Sequence, residues 1–398
     1  MRQQYLIVLH IIIVFIPKCF VFNEDCLLSQ WSSNATTLIN STYLNAPRDI
    51  YVDKNNILYV LDTGSGRIQR LGSNLTLETT FINVTARPLF NSRSISSAAI
   101  SGDLNGNIYI LDTGNARVIK WSLDNMNGTV VAGGNGYGNA TNQLNSPDGM
   151  FIDVNTLFIW IADTYNSRIV RWESPSTGVF FYGSNGSNSD QFYLPFGLFV
   201  DTDDSNTLYV ADTYNHRVQM WMSGATNGTT VAGQTGTYGI GPSVLYYPVT
   251  VIGDKNQNLF ILSSGTDSIM KWKVGSNMGV LIVGTYSSGS SSNQLYFSYN
   301  FKFGPDNSIF VADTGNNRIQ KFAFSCVNVT SITTMMTTKP TSTVTSRTAS
   351  SILTTCLFNS TIMSMTTIQR SSSVFIDCFH FQRLSIIFSS IFILIINK

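Results

Sequence analysis

The sequence predicts an all-β fold, a six-bladed propeller of four-stranded blades. Two features predict it: one β-rich segment recurs six times at a nearly fixed spacing, and the last copy lacks a strand that the N-terminus has to spare. The copies are LYVLDTGSGRIQRL from Leu58, IYILDTGNARVIKW from Ile108, IWIADTYNSRIVRW from Ile159, LYVADTYNHRVQMW from Leu208, LFILSSGTDSIMKW from Leu259 and IFVADTGNNRIQKF from Ile309. Their Asp position runs 62, 112, 163, 212, 263 (a Ser) and 313, so the steps are 50, 51, 49, 51 and 50. A period of this length means a propeller, a solenoid or an array.

Each copy reads as a hairpin. LYV, IYI, IWI and IFV are β-branched and aromatic runs that end in a polar turn, and RIQRL, RVIKW and RIVRW then alternate apolar and polar with period two. Gly64, Gly114, Gly265 and Gly315 suit the tight turn between them. An upstream segment such as SPDGMFIDV (Ser146 to Val154) or LPFGLFVDT (Leu194 to Thr202) supplies a first strand. A downstream one such as GTVVAG (from Gly128), GVFFYG (from Gly178), GTTVAG (from Gly228) or GVLIVG (from Gly279) supplies a fourth. The sixth copy runs straight into a Ser/Thr-rich region after Phe322 and has no fourth strand, whereas NATTLIN, Asn34 to Asn40, stands unpaired near the N-terminus. That segment is expected to complete the last blade. Cys26 and Cys326 flank the closure, and a disulfide between them would staple it.

The ends read as processing and anchoring segments. Residues 1–22 carry a basic start and an apolar run from Leu6 to Ile16, the pattern of a secretory signal peptide. The propeller is expected over residues 23–326. A Ser/Thr-rich stalk follows over 327–373, with no hydrophobic period that could pack a core. Residues 374–398 end in the apolar run Leu384 to Ile396, which fits a glycolipid-anchor signal or a membrane segment. The protein is therefore expected outside the cell or on its surface, with the propeller itself monomeric. Ten N-glycosylation sequons occur, at Asn34, Asn40, Asn74, Asn83, Asn127, Asn139, Asn185, Asn227, Asn328 and Asn359. Charged residues make up 12% and the formal net charge is +1, which excludes a broad nucleic-acid surface.

These repeats resemble the NHL family. The likeness rests on the P-x-G start, as in Pro147-Asp148-Gly149 and Pro195-Phe196-Gly197, and on LYVADT-x-N-x-RV/RI-x-x-(W/F). It covers roughly residues 34 to 324 and implies the propeller fold, while leaving open a binding module, an extracellular scaffold or an enzyme. Blade five departs from the pattern with SSGTDS (Ser263 to Ser268), and blades one and two read Pro47-Arg48-Asp49 and Ser97-Ala98-Ala99 where P-x-G is usual. The family's amidating lyase would need zinc-binding His in the channel, and a lactonase-like enzyme a calcium cluster of Asp, Asn and Glu. His216 is the only His outside the two ends, and Glu24, Glu78 and Glu173 are the only Glu. No cofactor and no metal are expected, and the enzyme reading stands second.

Five units carry Asp and Arg five positions apart: Asp62 and Arg67, Asp112 and Arg117, Asp163 and Arg168, Asp212 and Arg217, Asp313 and Arg318. In blade five both become Ser together, Ser263 and Ser268, as a paired structural role predicts. Trp121, Trp172, Trp221 and Trp272 end their strands at one offset and read as blade-packing residues. DTDDSN (Asp201 to Asn206) lacks the Gly and distal Glu of a calcium loop and reads as an acidic hairpin turn. Binding is expected on the ring face that carries the strand-two to strand-three turns and the long inter-blade segments. The candidate contacts, for a protein or glycan ligand, are Tyr137, Tyr165, Tyr182, Tyr193, Tyr214, His216, Tyr238 and Tyr286. The counterparts of His216 are Gly66, Ala116, Ser167, Asp267 and Asn317, and so variable a position reads as an exposed turn site.

Overall fold

The computed structural model describes residues 26–83, 97–122, 127–173 and 178–328. The expected signal peptide, nearly all of the stalk, the C-terminal tail and the Asn359 sequon lie outside the described residues. Among the described residues no helix is long and apolar enough to cross a membrane.

Six four-stranded antiparallel sheets form the blades. Blade one holds Pro47–Val52, Leu58–Asp62, Arg67–Leu71 and Leu77–Asn83. Blade four holds Leu198–Asp201, Thr207–Asp212, Arg217–Trp221 and Thr229–Gly233, and blade five Pro248–Gly253, Asn258–Ser263, Ser268–Lys273 and Gly279–Val283. The other blades repeat the order. The first strand of each blade contacts the first strand of the next, round to blade one again, so these strands surround the axis. Second strands are buried along their whole length, in keeping with their unbroken apolar runs.

The ring closes as expected. Thr36–Ile39 pairs with Arg318–Phe322 and becomes the outermost strand of blade six, with Thr36 opposite Lys321 and Ile39 opposite Ile319. A second device was not legible beforehand. Cys26–Trp31 pairs with Phe324–Asn328 as a two-stranded ribbon outside the blades. The Trp31 ring packs on Phe260, Phe303 and Phe324, and its Nε1 donates to the Asn307 carbonyl at 2.8 Å. In this ribbon Cys26 stands opposite Asn328 and Cys326 opposite Ser29. The two cysteines therefore sit on adjoining strands but out of line, by three positions along the first strand and two along the second, with a bulge between.

Packing follows from the geometry of a ring, in which neighbouring blades diverge outward. Six apolar clusters form, one between each pair of adjacent blades. Trp121, Trp172, Trp221, Trp272 and Phe322 are fully buried in these wedges. Each indole removes on the order of 200 Å² from water, an upper-bound stabilisation of about 5 kcal/mol. Near the axis the opposite problem arises, because inner strands crowd. A Cβ at Gly197 would lie 2.4 Å from the Val249 carbonyl oxygen, so the Gly of P-x-G is set by close approach of the next blade.

Candidate binding face

The strand-two to strand-three turns and, among the described residues, the segments entering blades one and three to six lie together at one end of the ring, joined by backbone bonds such as Tyr214 to Tyr193 and Gly265 to Tyr246. The turns are single 3-10 turns, and the left-handed residue is the one after each of them: Gly66 (φ 60°), Ala116 (52°), Ser167 (51°), His216 (58°) and Asn317 (53°), with Asp267 (46°) in blade five. The glycines expected to make these turns sit two positions earlier, and space explains them better than conformation. A Cβ at Gly265 would meet the Tyr246 ring at 2.5 Å and the Tyr246 carbonyl oxygen at 2.8 Å.

The five Asp–Arg pairs are closed, with Arg Nε donating to the carboxylate at 2.8 Å in blade one, 2.9 Å in blade two, 2.7 Å in blades three and four and 2.6 Å in blade six. In four of them the other carboxylate oxygen accepts a backbone N–H from the entering segment: Asn45, Asn145, Tyr193 and Tyr296. The guanidinium donates to carbonyls of the same segment, as Arg217 does to Asn188 and Gln191 and Arg318 to Ser290, Ser291 and Gln294. These four pairs thus stitch the entering segment to its blade. Burial pushes the Asp212 carboxyl up; Arg217, the Tyr193 N–H and Asn215 pull against it.

His216 corrects the sequence reading. It is only 7% exposed, because the Tyr238, Tyr246 and Tyr247 rings surround it at centroid distances of 4.9, 5.7 and 4.8 Å. Its Nδ1 accepts the Tyr247 N–H at 3.3 Å, so a residue of blade four holds the entrance to blade five. Asn317 does the same for blade one, accepting the Ala46 N–H at 2.7 Å, and Asp267 accepts from the Ser298 N–H and, at 2.6 Å, the Ser288 hydroxyl. The position varies in identity, yet in blades four to six it supplies an acceptor to the next blade. Burial lowers the His216 pKa.

Above His216 the tyrosines form a continuous platform. Tyr193 meets Tyr214 at 5.5 Å, Tyr214 meets Tyr247 at 5.1 Å, and Tyr247, Tyr246 and Tyr238 stack at 4.8 and 4.9 Å. Tyr193, Tyr214 and Tyr238 are 45%, 42% and 60% exposed. The expected contacts divide accordingly. Tyr193, Tyr214, His216 and Tyr238 come together. Tyr165, in blade three, and Tyr137, whose hydroxyl donates to the Gly114 carbonyl, are exposed but stand apart from that run. Tyr182 is buried against Trp221 at 4.5 Å, with its hydroxyl on the Met222 carbonyl. Tyr286 packs into the core between blades four and five. Tyr182 therefore presents no ring to a ligand, because it fills the widening wedge between blades, and Tyr286 is half-buried there.

Tyr246, Tyr247, Tyr296 and Phe297 were missed. Their signal lies in the segment entering each blade, Leu44-Asn45-Ala46, Leu144-Asn145-Ser146, Phe192-Tyr193-Leu194, Leu245-Tyr246-Tyr247 and Leu295-Tyr296-Phe297. The first residue of each is buried and the third has positive φ. Blades one and three place Asn and a small residue at the second and third positions, whereas blades five and six place two aromatics. Tyr247 (φ 50°) and Phe297 (φ 47°) are bulky residues in the left-handed region, a strained state that clusters at functional sites.

The mouth of the channel is occupied by protein side chains. Arg48 reaches past blade two to Asp148 at 2.5 Å, and its guanidinium lies 4.7 Å from the Tyr299 ring centroid. Deeper, Asp49 is buried, accepts the Ile100 N–H at 2.8 Å and faces Lys302 at 3.8 Å. Among the described residues no three His, Cys, Asp or Glu side chains converge as metal ligands. At the other end of the ring a recess of about 220 Å³ is lined by Asp153, Phe158, Trp160, Arg171 and Thr202. The neighbouring DTDDSN segment is the expected acidic hairpin turn, with Asp201 accepting the Asp203 and Asp204 N–H groups at 3.2 Å.

Fold and face together define a repeat propeller with an aromatic sector at one end, between blades four and five. A family model, that of the NHL repeat, matches residues 198–221 and 302–322, so the chain carries NHL repeats in blades four and six. No curated protein matches the chain. Solved structures share the fold at low identity. One is a protein of unknown function from Bacteroides thetaiotaomicron (13% identity, TM-score 0.55, 75% of this chain and 76% of that one). Another is an auxiliary nutrient binding protein from the same organism (11% identity, TM-score 0.55, 75% and 76%). A third is a gluconolactonase from Xanthomonas campestris (13% identity, TM-score 0.53, 75% and 98%).

Proposed function

We propose that this protein is a non-enzymatic extracellular binding module that presents one end of an NHL-type propeller at the cell surface. The tyrosine platform over blades four and five is the observation that carries this reading. It exposes a run of aromatic rings at the end where loops converge, and its residues depart from the repeat in the same blades. The propeller fold itself is neutral, since the nutrient-binding protein and the gluconolactonase both use it. Export by residues 1–22, a stalk over 327–373 and a membrane attachment over 374–398 would hold the platform away from the membrane. A Cys26–Cys326 disulfide across the closing ribbon belongs to the same reading, and non-reducing peptide mapping that finds Cys26 unpaired would remove it.

The test is site-specific photo-crosslinking on the full chain displayed on cells. A benzophenone side chain in place of Tyr238 should give a discrete adduct, and the same group in place of Val280, exposed on the outer strand of blade five, should not. No adduct at 238, or equal labelling at both positions, would overturn the reading.

A further inference from the structure

The sector around the platform is defined as much by what its sequence omits as by its rings. The segments entering blades five and six, residues 234–247 and 284–299, contain no Asp, Glu, Lys or Arg. The charges nearest to them in the fold are already used. Arg217 is 3% exposed and donates to Asp212 and to loop carbonyls, Arg318 does likewise with Asp313, and Asp267 is buried on Ser288 and Ser298. Within these two segments an anionic ligand would find no cation to answer it and a cationic ligand no carboxylate; the exposed carboxylate of Asp190 lies outside them, on the segment entering blade four. The sequons are distributed in the same sense. The segments entering blades three and four carry Asn139 and Asn185, both exposed, but no sequon occurs between Asn227 and Asn328. The exposed Asn34, in the closing segment, accepts from the Ser292 hydroxyl at 2.9 Å, so a glycan there would border the segment entering blade six, while residues 234–247, which carry Tyr238, Tyr246 and Tyr247, hold no sequon.

We infer that this sector is a binding site for an uncharged oligosaccharide, an inference that rests on the binding-module reading above. A pyranose ring offers an apolar C–H face bordered by hydroxyls. A tyrosine offers the complementary pair, a flat apolar ring with a hydroxyl at its tip. The platform supplies several such rings in an unbroken run. It is pre-organised, because Tyr238, Tyr246 and Tyr247 stack on one another and on His216 before any ligand arrives, so little ordering entropy is left to lose. The surrounding polar groups are the hydroxyls and amides of Ser, Thr and Gln, which can both donate and accept, as sugar hydroxyls require. A protein partner docking over the same span would draw register and selectivity from charged groups at its rim, and these two segments offer none.

The experiment measures binding of the purified full chain to maltohexaose, cellohexaose and chitohexaose, with a heparin hexasaccharide as the anionic comparison, by saturation-transfer NMR and calorimetry. At least one uncharged hexasaccharide should bind, with transfer concentrated on ring C–H protons. Raising salt from about 0.05 M to about 0.5 M should leave the affinity within about twofold. Tyr238→Ala and Tyr214→Ala should each weaken binding about tenfold or more, while Val280→Ala leaves it unchanged. Absence of binding to all three uncharged sugars, preference for heparin, or equal binding by the tyrosine variants would each overturn the inference. A photo-adduct at position 238 that proves to be a protein would also overturn it, yet leave the binding-module reading standing.

Discussion

Blades four and five have the same strand order and the same buried tryptophan, but they hold their entering segments differently. In blade four, Asp212 and Arg217 stitch residues 184–193 to the sheet through charge-assisted bonds. In blade five, Ser263 and Ser268 stand at those positions; the backbone bond from Gly265 to Tyr246 repeats that from Tyr214 to Tyr193 in blade four, and what holds the entering segment besides is a bond from Ser264 to Tyr247 and the ring stack on His216. The difference shows what the Asp–Arg pair is for. Where it is present it fixes a segment; in blade five, where it is absent, aromatic packing on His216 stands in its place, and the tyrosine platform forms at that join.

The largest effect should come from breaking the stitch on the blade that has it. Asp212→Ala leaves a buried guanidinium without its carboxylate and should destabilise the protein by about 3–5 kcal/mol. Ser263→Ala at the matching position removes a buried hydroxyl for which the structure shows no hydrogen-bond partner, and should stay within about 1 kcal/mol of the native protein. Denaturant unfolding of the two variants compares them directly, and equal losses would break the contrast. The next effect tests the space that blade five leaves for Tyr246. Gly265→Ala pushes a methyl group against that ring and its carbonyl and should cost about 1–3 kcal/mol, while Tyr214→Gly at the matching turn of blade four should fold with a smaller loss.

Two smaller effects depend on pH. Burial raises the Asp267 carboxyl, with Asp313 nearby adding to the shift. The folded protein therefore holds this proton more tightly than the unfolded chain. The resulting stabilisation is complete below the ordinary value of 3.8 and is lost as pH rises through the raised one. Asp267→Asn, which copies the acceptor already present at Asn317, should raise stability at neutral pH by on the order of 1 kcal/mol and give no gain in acid. His216 has the opposite sign. Its pKa is lowered from 6.5, so its contribution is complete above that value and is lost as pH falls through the lowered one. His216→Asn should be within about 0.5 kcal/mol of native at neutral pH and should remove the acid-induced change in the tyrosine ring signals, read by NMR titration.

Much of this was legible in the repeat. The step from Asp62 to Asp313 fixed the blade count, the unpaired NATTLIN segment predicted the closure, and the joint loss of Asp and Arg at Ser263 and Ser268 marked them as partners. Tyr193, Tyr214 and Tyr238 were reachable because they lie on turns and inter-blade segments. Tyr246, Tyr247 and Phe297 needed the entering segments aligned to each other, since they differ from Asn45, Ala46 and Ser146 only by comparison. Tyr182 and Tyr286 could not be placed by pattern at all. A tyrosine between a fourth strand and the next blade points outward or fills the wedge according to how far the neighbouring blades diverge there.

By itself the sequence determined the blade number, the strand order and the chemistry of the stitches, because periodicity and paired charges are local properties carried along the chain. Tertiary structure decided which tyrosines meet and that His216 lies beneath them. Those contacts join residues of one blade to the entrance of the next, and their geometry exists only once the ring has closed.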